Sequence, residues 1–280
     1  MKPKYARCNI CGSCAQMTED HVPPKFWHNS NLKYYSQGFG GYDPPQASSW
    51  FPYKSRNGIT FQTICADCNN RVLGTKDKAL KDFCDQIKRR SNSKLVLSML
   101  FNCHIHANAV AKAVIGHMLA AKEYYDEDSA IEKVLRPYVL CDKMVPPTNM
   151  QLLYFYYPWN YIVVGRDVVV SRLASRNDKY RTPTGVISCL YSYPLAFILT
   201  DSNQDLRLRD LFAYCRTNPN SKVDVLFDLN SQFYPGSKEL RNALWPMNVS
   251  DDSDGVQMLL GGKSLQRLII GTEKPNSKKN

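Results

Sequence analysis

Apolar residues recur at two spacings along the chain, and the spacing changes near residue 150. From Leu95 to about Tyr125 they recur every three or four positions, which predicts one or two packed helices. Beyond residue 150, runs rich in β-branched and aromatic residues predict strands; these runs are MQLLYFYY, NYIVV, DVVVSRL, GVISCLYSY, LAFILT and KVDVLFDL. The Gly165-Arg166 step between two runs predicts a hairpin turn, and Leu206 to Cys215 predicts a short amphipathic helix. This order of elements is typical of an α+β domain with helices and an antiparallel sheet.

Residues 1 to about 90 have a different pattern, because their apolar positions are few and Gln37 to Gly58 is rich in turn-forming residues. A helix is predicted from about Lys76 to Arg89. The first 75 residues hold too few apolar positions for an ordinary core, so a bound metal is expected to supply the missing cohesion. Since the polar stretch RRSNSK follows the helix, we predict two domains, residues 1–91 and 92–280.

The balance of charge indicates a polyanionic partner. The 280-residue chain has a formal net charge of +11, and a surface this basic attracts nucleic acids. A membrane partner is not expected, because the longest apolar helical run, Val110 to Ala121, is too short to cross a bilayer and contains Lys112 and His117. The N-terminal sequence MKPKYARC lacks the apolar core of a signal peptide, so a cytoplasmic location is predicted.

The ten cysteines divide into two close pairs and six scattered residues. In a reducing compartment, two Cys-x2-Cys pairs are typical of a tetrahedral zinc site with four thiolate ligands. We therefore predict a structural zinc ion bound by Cys8, Cys11, Cys65 and Cys68. Cys14 repeats the spacing, but Gly12 follows Cys11 as a turn residue should, which favours the first pair. The cysteines expected to be small buried apolar side chains are Cys14, Cys84, Cys103, Cys141, Cys189 and Cys215.

Between the two pairs lies the dipeptide Asp20-His21, and Asn69 and Asn70 follow the second pair. If zinc holds the two pairs together, it also brings Asp20-His21 beside the start of the helix after Asn69. A carboxylate and an amide oxygen suit Mg²⁺ or Mn²⁺ better than zinc, and a neutral imidazole can activate a water molecule. This combination is suited to the hydrolysis of a phosphodiester bond. Asn70 is the alternative to Asn69 if the turn is offset by one residue.

The first third of the chain resembles a known family. Its ordered motif, Cys-x2-Cys, then Glu-Asp-His with a following proline, then Cys-x2-Cys-Asn, is similar to the zinc-containing branch of the HNH endonucleases. The resemblance implies a ββα-metal module in which Asp20 binds the catalytic Mg²⁺ or Mn²⁺, His21 is the general base and Asn69 is the second metal ligand. It also implies a DNA substrate and suggests an effector role in bacterial or phage conflict systems.

The chain departs from this family pattern at one point. Many members have an asparagine a few residues before the second cysteine pair, and this asparagine braces the loop that carries the base. The same neighbourhood here reads ITFQTIC, in which Thr60 and Gln62 are the nearest polar substitutes.

The predicted partner is nucleic acid, with double-stranded DNA as the substrate. The cations expected to contact its phosphates are Lys25, Arg71, Lys76, Lys78 and Lys81. The alternative for these residues is an ordinary solvated helix face, because Asp77, Asp82 and Asp85 alternate with the lysines. Residues 92–280 have no recognisable motif and are assigned to substrate positioning, dimerisation or the docking of a protein partner.

Three functional hypotheses follow from these features. The first is a metal-dependent endonuclease. The second is a catalytically silent, zinc-stapled protein that binds nucleic acid or acts as an adaptor, and the missing asparagine favours it. The third is a nuclease that stays inactive until a partner binds.

Overall fold

The computed structural model describes residues 4–29, 33–37, 53–95, 97–158, 162–171, 183–200, 208–232 and 255–260. Within these residues the chain forms four α-helices and thirteen strands, most of them antiparallel. The mixed α+β class predicted from the sequence is therefore confirmed. The predicted solvated tail EKPNSKKN and most of the turn-rich stretch lie outside the described residues.

The N-terminal third contains five strands and one long helix. The strands are β1 (Tyr5–Arg7), β2 (Cys14–His21), β3 (Lys33–Gln37), β4 (Tyr53–Ser55) and β5 (Thr60–Cys65). A small antiparallel sheet has the order β1-β2-β5. A π-helical segment, Cys68–Leu73, follows β5 and continues into α1, Gly74–Ser91. In the small sheet β2 is the central strand and β5 lies at one edge, and the helical segment leading into α1 directly follows β5.

Helix α1 forms because its apolar residues fall on one face. Leu80, Phe83, Cys84 and Ile87 are all fully buried and have the i, i+3, i+4, i+7 spacing of an amphipathic helix. Lys88, Arg89 and Arg90 occupy the last turn, where positive charge complements the helix dipole. The prediction of a helix from about Lys76 to Arg89 is confirmed.

The next segment begins with a strand, β6 (Leu100–Ile105), and continues with α2 (Ala107–Ala120) and α3 (Ala130–Leu140). The prediction of helix throughout Leu95–Tyr125 is therefore wrong for its first part. Residues 100–105 pair with β12 (Val223–Asp228), a partner more than a hundred residues away, and helical spacing of apolar residues does not reveal such a pairing. Helix α2 is buried on almost every side and lies at the centre of the molecule.

The largest sheet has eight strands in the order β11-β7-β10-β9-β8-β13-β3-β4. Its remaining members are β7 (Gln151–Tyr156), β8 (Ile162–Ser171), β9 (Pro183–Ser192), β10 (Leu195–Thr200), β11 (Arg209–Asp210) and β13 (Gly255–Leu260). Strand β13 pairs in parallel with β3 and β8, and the other pairs are antiparallel. The predicted domain boundary at residue 91 coincides with the end of α1, yet β3 and β4 join this sheet, and one apolar core includes residues from Cys8 to Leu229.

Two details of the C-terminal part differ from the sequence prediction. Strand β8 runs through Gly165-Arg166, so the predicted hairpin turn is wrong. The chain instead has an irregularity there: the register with β9 shifts between Gly165 and Val168, and Asp167 has a φ of 51°. The amphipathic helix predicted from Leu206 to Cys215 is present as α4, Leu211–Thr217, but it starts later than predicted because Arg209–Asp210 form β11. None of the helices in the described parts of the chain is long and apolar enough to span a membrane.

Candidate functional site

Four cysteines form a cluster at the start of the small sheet. The Sγ atoms of Cys8, Cys11, Cys65 and Cys68 all lie within 4.8 Å of one another, and those of Cys11 and Cys65 are 3.8 Å apart. Four thiolates around one zinc ion at a Zn–S distance of about 2.3 Å are separated by about 3.8 Å. The cluster therefore fits a tetrahedral zinc site, and it consists of the four residues predicted from the sequence.

The loop after Cys8 explains why Cys11, and not Cys14, belongs to the cluster. The Gly12 N–H donates to the Cys8 carbonyl at 2.8 Å, and the Cys8 N–H donates to the Ser13 carbonyl at 2.9 Å. Gly12 has a φ of 74°, which a residue without a Cβ adopts readily. This tight turn brings Cys11 back toward Cys8, while Cys14 begins β2 with an exposed side chain.

The four thiols are too close together for all of them to ionise without a cation. A hydrogen bond from the Cys68 thiol lowers the pKa of Cys8 to about 4. The same bond, together with burial, raises the pKa of Cys68, and burial raises the pKa of Cys65. One thiolate is therefore stable in the absence of metal, but four negative charges in this volume need a cation.

Side chains beside the cysteines join the cluster to the end of α2. Asn9 Nδ2 donates to the carbonyls of Leu119 and Lys122 at 3.2 and 2.7 Å, and Thr63 Oγ1 donates to the Ala120 carbonyl at 2.5 Å. The last carbonyls of a helix have no partner within the helix. Asn9 and Thr63 supply those partners here, so the cysteine cluster and the central helix support one another.

The six remaining cysteines divide into two groups. Cys84, Cys103, Cys189 and Cys215 are buried, as predicted, and burial raises the pKa of the last three to about 12. Cys14 and Cys141 are exposed, so the prediction of buried apolar side chains is wrong for these two.

His21 is the last residue of β2 and is held by a loop that precedes β5. Its Nε2 lies 2.9 Å from the carbonyl oxygen of Asn57. A carbonyl only accepts, so Nε2 carries the proton and Nδ1 keeps its lone pair. Burial lowers the pKa of His21, and the nearby charge of Lys25 lowers it further. The imidazole is therefore neutral at pH 7, in the tautomer whose Nδ1 can accept a proton.

The sequence did not indicate that the backbone carbonyl of Asn57 holds His21. The substitutes considered there, Thr60 and Gln62, lie in β5, whereas the residue whose carbonyl holds His21 lies three positions before Thr60. The available signal is the dipeptide Asn57-Gly58, which is typical of a tight turn between strands. Gly58 has a φ of 71°, as such a turn requires.

Asn29 fastens the loop that follows His21 to this turn. Its Nδ2 donates to the carbonyls of Pro23 and Ile59 at 2.7 and 3.0 Å, and its Oδ1 accepts from the Ile59 N–H at 2.8 Å. In the same loop, Trp27 Nε1 donates to the Ser192 carbonyl at 2.7 Å and the Ser192 hydroxyl donates back to the Trp27 carbonyl. The segment after His21 is thus fixed both to its own turn and to the large sheet.

Substitution of Gly58 by alanine is expected to disturb this support. A Cβ at Gly58 would lie 2.2 Å from the carbonyl oxygen of Asn29, and the positive φ is itself unfavourable for alanine. We expect Gly58→Ala to destabilise the protein by about 1–3 kcal/mol, measured by urea unfolding. The matched control is Gly74→Ala, whose Cβ would meet only ordinary contacts and whose helical position favours alanine. Equal stability of the two variants would contradict the role assigned to this turn.

Asp20 is buried and bonded to a residue that the sequence did not connect with it. Its Oδ2 lies 3.0 Å from Nδ1 of His117 in α2, and Nε2 of His117 lies 2.9 Å from Oδ1 of Asp77 in α1. The side chains of Asp20 and His117 are 5% and 1% exposed. Burial alone lowers the pKa of His117, but the two carboxylates outweigh it and raise the pKa to about 10. His117 is therefore an imidazolium between two carboxylates.

The charge of His117 predicts a pH dependence of stability. Its pKa is about 10 in the folded protein and 6.5 without the fold, so its contribution is complete below about pH 6.5 and is lost as the pH rises through 10. We expect the free energy of unfolding of the wild type, relative to His117→Asn, to fall by up to about 1.4 kcal/mol per pH unit across that window. Urea unfolding at a series of pH values measures this difference. A constant difference from pH 6 to 10 would contradict the imidazolium assignment.

The Asn69 side chain lies against β2. Its Nδ2 donates to Thr18 Oγ1 at 3.1 Å and to the Glu19 carbonyl at 3.0 Å, whereas Asn70 is exposed. These two bonds place the Asn69 side chain beside the residues that directly precede Asp20, where the pairing of β2 with β5 shifts its register. His21 follows Asp20 as the last residue of the strand.

Of the five cations predicted to contact phosphates, four are exposed: Lys25, Arg71, Lys78 and Lys81. Arg71 forms a two-bond ion pair with Asp67, and Lys81 pairs with Asp85. Lys76 is 7% exposed, and its ammonium donates to the Val72 carbonyl and pairs with Asp142 at 2.9 Å. Lys76 is therefore not on the surface, because it neutralises a carboxylate from the segment after α3.

In the described residues, the four cysteines are the only group of three or more His, Cys, Asp or Glu side chains arranged to hold a metal ion. Comparison of the chain with protein-family models, with curated proteins and with solved structures found no match.

Proposed function

We propose that this protein is a metal-dependent endonuclease of the HNH type, which hydrolyses phosphodiester bonds of DNA with His21 as the general base. The observation that carries the proposal is the hydrogen bond between His21 Nε2 and the Asn57 carbonyl. That bond fixes the tautomer and orientation of the ring, as a base that must accept a proton at a defined atom requires. The lowered pKa of His21 keeps the ring neutral at pH 7.

Asp20 and Asn69 would supply the oxygen donors for a catalytic Mg²⁺ or Mn²⁺. Asp20 uses Oδ2 to bond His117, and Asn69 uses Nδ2 to bond β2. In this proposal the ion would be held by Oδ1 of each residue, a carboxylate and an amide oxygen of the kind that hard cations prefer. When bound, the ion supplies positive charge that stabilises the phosphate in the transition state.

The chain's own residues then have separate tasks. His21 ends β2 and directly follows Asp20, so a phosphodiester lying at the end of the strand would be close to both the base and the carboxylate. His21 Nδ1 takes a proton from the attacking water, and the bond to Asn57 keeps the ring in place during this transfer. Lys25, Arg71, Lys78 and Lys81 are exposed and would contact the flanking phosphates. An effector role in a conflict system remains part of the prediction.

A second candidate function is the binding of nucleic acid without chemistry. The observation that favours it is the burial of Asp20, whose side chain is 5% exposed and already paired with His117. A carboxylate in this state binds a solvent-delivered ion less readily than an exposed one, because its existing partner must be retained or replaced. The cysteine cluster and the exposed cations would serve such a binding protein equally well.

One experiment separates these candidates. A fluorescently labelled DNA duplex is mixed with zinc-loaded protein, and its binding is followed by anisotropy while its cleavage is followed on denaturing gels. The endonuclease proposal predicts cleavage that requires added Mg²⁺ or Mn²⁺ and stops with EDTA added just before the reaction. Salt-dependent binding of a duplex that stays intact with both ions would overturn the proposal and support the second candidate.

A further inference from the structure

The hydrogen-bonded chain Asp20–His117–Asp77 joins three elements of the fold. Asp20 comes from β2, His117 from α2 and Asp77 from α1, and each ring nitrogen of His117 bonds one carboxylate. Helix α2 is apolar over most of its length and buried on almost every side. A charged group in such a helix is costly to desolvate, so its presence beside Asp20 needs an explanation.

The residue before His117 docks the segment that carries Asn69. A Cβ on Gly116 would lie 2.2 Å from Cδ2 of Leu73, so the absence of a side chain lets α2 approach the π-helical segment Cys68–Leu73 closely. Leu73 is fully buried at this contact. Consecutive residues of α2 therefore hold both elements on which the proposed oxygen donors lie, β2 through His117 and the π-helical segment through Gly116.

We propose that His117 is a positioning residue for the catalytic ion, which holds Oδ2 of Asp20 through Nδ1 so that Oδ1 is presented as the ligand atom. Carboxylates that bind metals are commonly fixed by a hydrogen bond to the other oxygen, and loss of that bond lowers metal affinity by about 10–100-fold. No hydrogen bond to Asp20 Oδ1 is found among the described residues, which agrees with this assignment. This inference rests on the proposed endonuclease function, because that function gives the ion its catalytic role.

Asp77 completes the arrangement by holding the other end of the ring. With Nε2 bonded to Asp77 at 2.9 Å, the imidazole cannot rotate about its Cβ–Cγ bond without losing a charged hydrogen bond. The side chain of Asp77 is 25% exposed and is therefore more accessible to solvent than that of Asp20, which is 5% exposed. The ring is thus fixed from α1, and Asp20 is fixed from the ring.

Two substitutions of His117 separate positioning from general stability. Asparagine places its Nδ2 near the position of the histidine Nδ1 and can still donate to Asp20, whereas the longer glutamine places Nε2 near the histidine Nε2 and can donate to Asp77. Both remove the ring and its charge. The two readouts are the Mn²⁺ dissociation constant, from the electron paramagnetic resonance signal of free Mn²⁺ in zinc-loaded protein, and the Mn²⁺ concentration for half-maximal DNA cleavage.

The proposal predicts that His117→Asn binds Mn²⁺ within about threefold of wild type, and that His117→Gln binds it at least about tenfold more weakly. Equal affinity of the two variants, or tighter binding by His117→Gln, would overturn it. If both variants fail to fold, Asp77→Asn is compared with Asp77→Ala: the amide oxygen still accepts from Nε2, so only the alanine variant is expected to lose Mn²⁺ affinity, and unchanged affinity in Asp77→Ala overturns the proposal.

The same measurements distinguish this inference from the endonuclease proposal. Mn²⁺ binding that follows the predicted order of variants, without any DNA cleavage by wild type, would support the role of His117 and overturn the nuclease assignment. Cleavage by wild type, with equal Mn²⁺ affinity of the two His117 variants, would support the nuclease assignment and overturn the role of His117. A wild-type protein that binds no Mn²⁺ would overturn the positioning role.

Discussion

Loss of one cysteine of the cluster is expected to unfold the N-terminal third of the protein. Cys68→Ala removes a buried cysteine of the cluster. The three remaining thiols cannot complete a tetrahedral four-thiolate site. Structural zinc contributes about 10–16 kcal/mol in zinc-finger peptides near neutral pH, which is comparable to the whole free energy of unfolding of a typical domain, about 5–15 kcal/mol. We expect Cys68→Ala to purify without stoichiometric zinc and to lose hydrogen-exchange protection in β2, β5 and α1.

Cys14→Ala is the matched control for this prediction. Cys14 lies three residues after Cys11 but is exposed and outside the cluster. This variant should keep one zinc ion per chain and the thermal unfolding midpoint of wild type. A Cys68→Ala protein with full zinc content and wild-type protection would contradict the zinc assignment, as would loss of zinc from Cys14→Ala.

Replacement of His21 by alanine is expected to lower DNA cleavage by about 10²–10⁴-fold, the usual contribution of a positioned general base. The imidazole is only half-buried and its described hydrogen bond is to a loop carbonyl, so the loss of stability should be small. Initial rates of cleavage at saturating Mn²⁺ measure the effect, and zinc content and the unfolding midpoint are measured on the same samples.

The control for His21→Ala is His104→Ala. His104 is an exposed histidine on β6, and its Nδ1 lies 2.9 Å from Asp224 in a solvent-exposed pair, which contributes little to stability. This variant should cleave at the wild-type rate. His21→Ala cutting as fast as His104→Ala would show that another group takes the proton.

The cysteine site could be predicted because its signal is local. The spacing of each pair is typical of a tight turn, and Gly12 indicates that Cys8 and Cys11 lie in the same turn. The four cysteines can therefore be identified from the sequence without knowledge of the fold. Helix α1 was predictable for the same reason, since its buried face repeats within eighteen residues. Asn69 directly follows a cysteine of the cluster, and its role as a metal ligand stays a prediction.

Contacts between distant parts of the chain were not predictable. His117 lies 97 residues from Asp20, and in the sequence it only interrupts an apolar run. Lys76 has the appearance of a surface cation until Asp142 is brought beside it. Strand β6 has helical spacing of apolar residues, and its pairing with β12 overrides that local preference. In each case a tertiary partner, and not the local pattern, determines the state of the residue.

Cleavage of supercoiled plasmid by the zinc-loaded protein tests the central claim most directly. Wild type and His21→Ala are incubated with plasmid and Mn²⁺, and the nicked and linear forms are quantified over time. The account predicts nicking and linearisation by wild type that are absent without Mn²⁺ and at least about a hundredfold slower in His21→Ala. Intact plasmid with folded, zinc-loaded wild type, or equal cleavage by both proteins, would contradict it.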